Sequence, residues 1–542
     1  MTDPHKPDDS PSIFAPLNVI KSTFSACLFS FSLISILGLI FTNQTPWSQQ
    51  IASAFAFIVL FLAATWLTMI EGSQASIVGL APVNRELYKE SHPKAYRCSL
   101  ICHKGDKGDN LQRYLLGRQF MVVLVVFIIN NCGFPNAGAT LWGYPELLTQ
   151  VMLSSGLCMI FFTVMYGQLS SEVNASLCML DYLNNWFAVF TVYVALALEF
   201  SGIIHAGYLI QMIVCKLAGK EYETNEPPKT GFTLAFFWIR ILFSCACLIF
   251  SFAVTLTALF QGKTLMWKGV PPAVSIVLFF LLMCLVGLLE ATQISYFAVS
   301  KLRVNERGTN WFAKKTCERL YAGKDGQPGV NLPGYMIGRQ LCVVSCMFFV
   351  AQVTSTNVKP GEPTIFGVSE GLQQFFNTGL LGALITTIVG SIAWRLAGSA
   401  FPIFFLSTPP AWIMLNVCLA FEASGILNGA WVLGWIHKKV AGFKRDEVYI
   451  GTAEERAKRN MGDNEDNLQI GAGHIVILPG FYEQAPASLK KLLDSDPRVA
   501  EYLRASIHSV QLPDIEKGGM AAAGNDESET ESEEGRVTRE RD

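Results

Sequence analysis

The sequence predicts an all-α polytopic membrane protein built as two five-helix repeats of inverted topology, followed by a soluble C-terminal tail. Three observations predict it. The chain has 542 residues, 51% of them hydrophobic and only 15% charged, a more apolar balance than soluble domains carry. The apolar residues fall in long runs rather than in an amphipathic pattern, and about 20 in succession suffice to cross a bilayer as a helix. Several short motifs return in the same order in the second half.

The runs give ten expected spans, at 22–42, 51–80, 114–133, 146–170, 183–215, 232–261, 270–300, 335–356, 370–397 and 403–436. The expected organisation is a cytosolic N-terminal segment (1–20), a first repeat (21–216), a linker (217–231) and a second repeat (232–440). A cytosolic C-terminal region with short helices (441–524) and an acidic disordered tail (525–542) complete it. The N-terminus, "MTDPHKPDDSPS", lacks the basic flank of a cleaved signal, so the first span is expected to be retained. In the C-terminal region, "ASLKKLLDSDPRVAEYLRASIHSV" can form short amphipathic helices interrupted at Pro497. The segment "DESETESEE" has six acids in nine residues and is expected to stay disordered.

The repeat is carried by four matches. "EGSQ" from Glu71 returns as "EATQ" from Glu290, 219 positions on. "GRQ" from Gly117 returns from Gly338, and "EFSGI" from Glu199 returns as "EASGI" from Glu422. "FS" at Phe24 and Phe31 recurs at Phe243 and Phe250. Five spans is an odd number, so the second copy enters the membrane from the opposite face. Inverted repeats of this kind place solute and ion sites near the midplane in many secondary transporters. The loops 81–113 and 301–334 each carry seven Lys and Arg, which the positive-inside rule cannot reconcile with opposite sides. Lys438, Lys439, Lys444 and Arg445 favour a cytosolic C-terminus, leaving Asn43 of "NQT" outside as a glycosylation acceptor. The alternative is a parallel six-element repeat, with a re-entrant piece in the long fifth and tenth runs and both basic loops in the cytosol.

A net charge of −2 argues against a nucleic-acid partner, which needs a basic surface. The group His92, Cys98, Cys102 and His103 lacks the paired spacing of a zinc site and reads as an ordinary loop. No metalloprotease helix, nucleophile elbow or phosphate loop is present, so no enzyme and no cofactor are expected.

The functional signal is polar. Glu71, Glu199, Glu290 and Glu422 lie within apolar runs, and Arg118 and Arg339 lie just inside two others. Placing such a group at the bilayer centre costs about 2.5 to 3.5 kcal/mol on insertion scales, so it faces a cavity or a partner. Their recurrence in both halves points to one shared central site, with structural Glu/Arg pairs as the plainer alternative. Gln74, Gln119, Gln293 and Gln340 each offer two donors and an acceptor without charge, which suits a neutral, hydroxyl-rich solute. Gly72, Gly117 and Gly338 are expected to permit backbone breaks that free carbonyls for a ligand. The carboxylates suit either sodium or a proton. Asp181 in "CMLD" is expected to cap the start of the fifth span.

The doubled pattern of E-G-x-Q followed by G-R-Q resembles the diatom silicon transporters. The stretches "VGLAPVNRELYKESHPKAY", "KGDNLQRYLLGRQFMVVLVVFIINNCG" and "CMLD" are similar to that family too, and the resemblance covers about 20–440. It implies ten spans and sodium-coupled uptake of silicic acid for silica cell-wall formation, at the plasma membrane. It also implies functional roles for Glu71, Gly72, Gln74, Gly117, Arg118, Gln119, Gly338, Arg339 and Gln340. Glu290 and Gln293 keep the polar positions of the second motif, where Ala291 stands in place of glycine. Glu199 and Glu422 remain possible ion or structural carboxylates, and the sodium ligands are not identified. The alternatives are another small hydroxylated solute such as boric or germanic acid, coupling to protons, or a sensor that signals through the acidic tail.

Overall fold

The computed structural model describes residues 16–104, 109–219, 230–266, 269–300, 302, 307–321, 331–359 and 361–450. The expected short helices around Pro497, the acidic tail and most of the N-terminal segment lie outside the described residues.

The regular structure among the described residues is helical, apart from one isolated bridge between Thr264 and Thr356. The first ten helices are α1 (Pro16–Phe41), α2 (Ser53–Gly79), α3 (Pro93–Cys102), α4 (Asp109–Gly133) and α5 (Glu146–Leu148), then α6 (Leu157–Phe162), α7 (Ser170–Leu177), α8 (Met179–Leu183), α9 (Trp186–Phe200) and α10 (Ala206–Leu217). The next ten are α11 (Gly231–Phe260), α12 (Pro272–Ser300), α13 (Trp311–Tyr321), α14 (Asn331–Thr354) and α15 (Glu370–Asn377), then α16 (Leu380–Ile385), α17 (Ala393–Ala400), α18 (Pro402–Leu406), α19 (Pro409–Ser424) and α20 (Gly429–Ala441). The order repeats element for element. A π-helical turn joins α6 to α7 at Thr163–Leu169, and another joins α16 to α17 at Thr386–Ile392. The breaks before α8 and α18 also match: Cys178 has φ −133 and ψ 49, and Phe401 has φ −130 and ψ 53.

Among the described residues, seven helices are long and apolar enough to cross a membrane, or nine if each of two bent pairs is one span. Ten spans were expected, with a re-entrant piece in the fifth and tenth as the alternative. The fourth is a pair bent by 49°, the tenth a pair bent by 63°, and the fifth divides into the short helices α9 and α10. The fourth bends at Gly156 (φ 78), and the fifth and tenth break at "SGI". Gly202 (φ 83) and Gly425 (φ 73) adopt left-handed backbone, which ends a helix at little steric cost, while the surrounding hydropathy stays high enough to read as one run.

Burial is arranged for a lipid solvent. On α1, Ser25, Ser32 and Ser35 are fully buried while Ile20, Phe24 and Phe41 are exposed. On α11, Ser244, Ser251 and Thr255 are buried while Phe232, Ile239 and Ile249 face outward. Small polar residues let helices approach and bond inside a membrane protein, and large apolar ones face the tails. The central helices are α4 and α14, with 78% and 72% of their apolar windows buried, against 33% for α2 and α11.

The two sets of helices are interleaved. Ser25 of α1 donates to the Ile426 carbonyl (2.6 Å) and accepts the Gly429 N–H (2.7 Å), bridging the break between α19 and α20. Ser244 of α11 does the same between α9 and α10, with Ile203 O at 2.7 Å and Ala206 N at 2.9 Å. Lys21 and Arg240 then cover the ends of α19 and α9, bonding Ala423 O and Phe200 O. Each opening helix therefore satisfies buried backbone groups freed by the break in the other half, where an unmet group would be costly.

Candidate functional site

One polar cavity lies between the halves, lined by residues from both. Glu71 and Gln74 come from α2, Arg118 and Gln119 from α4, Glu290 and Gln293 from α12, and Arg339 and Gln340 from α14. Eight of the expected residues thus converge. Three more, Gln168, Glu172 and Arg395, line the cavity unanticipated by the repeated motifs.

The geometry is doubled. Arg118 pairs with Glu71 through Nη2, and its Nη1 donates to Gln119 Oε1 at 3.2 Å. Arg339 Nη2 lies 3.0 Å from Glu290 Oε2, and its Nη1 donates to Gln340 Oε1, again at 3.2 Å. These four charged groups are at most 5% exposed, so the pairing neutralises charges that burial would otherwise penalise heavily. It also orients the amides. Arginine donors hold the Gln119 and Gln340 oxygens, and Arg395 Nη1 adds a second contact to Gln119 Oε1 at 3.0 Å. Arg395 Nη2 holds Gln293 Oε1 at 3.4 Å. Since the oxygen ends are engaged, the NH₂ ends of Gln119, Gln293 and Gln340 remain as donors for an occupant.

The halves differ at the π turns. Gln168 donates to Glu71 Oε1 at 3.3 Å, where the second repeat has Ser391. Arg395 lies 2.9 Å from Glu290 Oε2 through Nε, giving that carboxylate two guanidinium partners. π turns widen a helix locally and recur at functional sites.

The glycines serve packing rather than backbone breaks. Helix α2 runs unbroken through Glu71–Gln74, and α4 and α14 run unbroken through their "GRQ" stretches. A Cβ on Gly117 would sit 1.8 Å from the Ala195 carbonyl oxygen, and one on Gly338 would sit 1.8 Å from that of Cys418. Gly72 makes room for the Tyr182 ring, whose hydroxyl donates to Thr68 O at 2.7 Å. In the second repeat Ala291 takes the place of Gly72, and the small residue has moved across the crossing to Gly398, where a Cβ would meet Ala291 O at 2.6 Å. Gly72, Gly117 and Gly338 therefore bring helices together without lining the cavity.

Glu199 and Glu422 are not cavity residues. Glu199 lies 3.5 Å from His205 across the α9–α10 break, and Glu422 stands beside Gly334. Asp181 does not cap the next helix. Asn185 does, accepting from Ala188 N at 2.7 Å, because Asp181 falls inside α8 rather than just before α9. Asp181 instead accepts from the Lys444 N–H (2.6 Å), lies 3.1 Å from His92 Nε2 and accepts from Tyr449 Oη. Asp446 accepts from the first amides of α8, Met179 N and Leu180 N, both at 2.8 Å. In the second repeat Pro402 opens α18 and has no such N–H to satisfy. Burial pushes Asp446 up to about 6 against the two amides. Burial pushes Asp181 up as well, but hydrogen bonds from His92 and the Lys444 amide bring it below the usual carboxylate range. Cys98 and Cys102 are buried in α3, and no group of three His, Cys, Asp or Glu suited to a metal occurs among the described residues.

No curated protein and no solved structure matches the chain. The family model for silicon transporters matches residues 13–539, nearly the full length and all four doubled motifs, and the chain belongs to that family of membrane transporters for silicic acid.

Proposed function

We propose that the chain takes up silicic acid together with sodium by alternating access, with the solute held in the cavity between the two repeats. The observation that carries the reading is the doubled Glu–Arg–Gln arrangement facing one cavity, Glu71–Arg118–Gln119 and Glu290–Arg339–Gln340. Silicic acid is neutral at physiological pH and tetrahedral, and each hydroxyl both donates and accepts. The cavity matches it group for group: free amide donors meet hydroxyl oxygens, and carboxylate oxygens accept hydroxyl protons. Because each carboxylate is already balanced by a guanidinium, it serves as an acceptor without demanding a cationic substrate. The recurrence of elements, with a polar site where the halves meet, supports inverted-topology repeats, the frame on which alternating access is commonly built. The plasma membrane and cytosolic termini belong to the same reading, as does the role in silica wall formation.

Reconstitution tests it. Gln119→Ala and Gln340→Ala should each lower silicic acid uptake into proteoliposomes by at least about tenfold, the loss of one to two good hydrogen bonds, while the purified proteins keep a wild-type elution profile. Full uptake in both variants would remove the cavity from the transport path. Boric acid competing as well as silicic acid would broaden the substrate class.

A further inference from the structure

The repeat pairs Glu172 of α7 with Arg395 of α17, and Gln168 with Ser391 on the π turns before them, each 223 positions apart, as are the π turns themselves. In the second half, Arg395 brings a tethered positive charge to the cavity wall, set against Glu290, Gln119 and Gln293. In the first half the same position carries a carboxylate. Glu172 lines the cavity and makes no hydrogen bond or ion pair with any described residue. One turn before it, Gln168 is 1% exposed. Its Nε2 is spent on Glu71, and its Oε1 is buried without a donor. A carboxyl group and an amide oxygen thus stand one helical turn apart with nothing among the described residues donating to them.

We propose that Glu172 and Gln168 Oε1 bind a monovalent cation, so that a diffusible ion does in the first half what the Arg395 guanidinium does in the second. Hard oxygen ligands, a carboxylate and an amide carbonyl, suit a hard ion. A single unpaired carboxylate matches a single positive charge better than a divalent one. The cavity already holds three glutamates and three arginines, so the ion adds one net charge against the repulsion of Arg118, Arg339 and Arg395. Its affinity is correspondingly modest, which an ion that must leave on every cycle requires. The inference rests on reading the cavity as the transport site and names the residues that couple it to sodium.

The test uses the purified full-length protein in two independent assays. Thermal unfolding is followed in sodium, potassium and choline chloride at equal ionic strength, without silicic acid. Silicic acid uptake is then followed in proteoliposomes as sodium is varied. Wild type should unfold at a higher temperature in sodium than in choline. Glu172→Gln should lose that difference and raise the sodium concentration for half-maximal uptake by about tenfold or more. Gln168→Ser, which installs the residue of the second repeat, should weaken sodium dependence by a smaller factor. If Glu172→Gln does not elute as folded protein, Glu172→Asp should still shift the half-maximal sodium concentration. Unchanged sodium dependence in these variants would overturn the assignment. So would a Glu172→Gln variant whose sodium response is intact but whose uptake no longer varies with pH, which would make Glu172 a proton carrier. A wild type that responds to sodium but takes up no silicic acid would sink the transport reading and leave the ion site standing.

Discussion

Gly117 and Gly338 show how tightly single residues are specified here. Each is opposed by a backbone carbonyl, from Ala195 and Cys418, so an added methyl cannot be met by rotation of a side chain. Gly117→Ala should therefore cost about 1–3 kcal/mol of stability through overpacking, read as a lowered unfolding temperature. Gly371→Ala, at a helical glycine with open space around it, should leave that temperature unchanged or slightly raised. At this scale the sequence was legible where the halves agree. Identical letters flagged Glu71, Arg118, Gln119 and their counterparts. Gln168, Glu172 and Arg395 escaped because the repeat preserves their positions and not their identities. Arg395 lies inside the ninth apolar run, and Glu172 lies just past the fourth. The spacing of 223 already seen for Glu199 and Glu422 would have aligned them. The glycines were visible, but their reason was not, since backbone approach between helices distant in sequence leaves no local mark.

Among the elements, α8 is held from two sides, by His92 of its own repeat and by groups that follow the second repeat. Its first two amides are held by Asp446 and its Asp181 by His92, Lys444 and Tyr449. Tyr182 carries that arrangement to Gly72, one residue from Glu71. The acids respond oppositely to pH. Asp446 is raised to about 6 from an ordinary value near ~3.9, so it favours the docked state when protonated, and that contribution is lost as pH rises from about 4 to about 6. Asp181 is depressed, so its contribution is present above the ordinary carboxylate range and lost as pH falls below it. Hydrogen exchange at Met179, Leu180 and Lys444, corrected for intrinsic rate, should show greatest protection near about pH 4, where both contributions are present, and less both at about pH 7 and below about pH 3. Asp446→Asn should flatten the change between about pH 4 and 6. Long helices were the legible elements, because a lipid-spanning run needs only composition. The helix breaks were hinted at only by the length of the fifth and tenth runs, since a left-handed glycine inside an apolar run does not alter its hydropathy.

Over the whole molecule, the crossed contacts of Ser25 with Ile426 and Gly429, and of Ser244 with Ile203 and Ala206, bind the halves through backbone groups that neither can satisfy alone. Asn174 of α7 adds a bond to the Gly434 carbonyl of α20 at 3.0 Å, and Gln352 of α14 donates to Asn130 of α4 at 3.2 Å. A chain divided between Ala218 and Thr230 should consequently yield two fragments that each aggregate when expressed singly and co-elute as one species when expressed together, as size-exclusion chromatography of tagged halves would show. The doubled architecture was legible from four short motifs, whereas the exchange of opening helices was not, because it depends on which serine meets which break. That exchange is the kind two copies of a single half would make with each other, since corresponding serines meet corresponding breaks in the opposite half. In a true homodimer every substitution appears twice. Tying the copies together releases that constraint, and a carboxylate can then stand opposite a guanidinium at one and the same position of the fold.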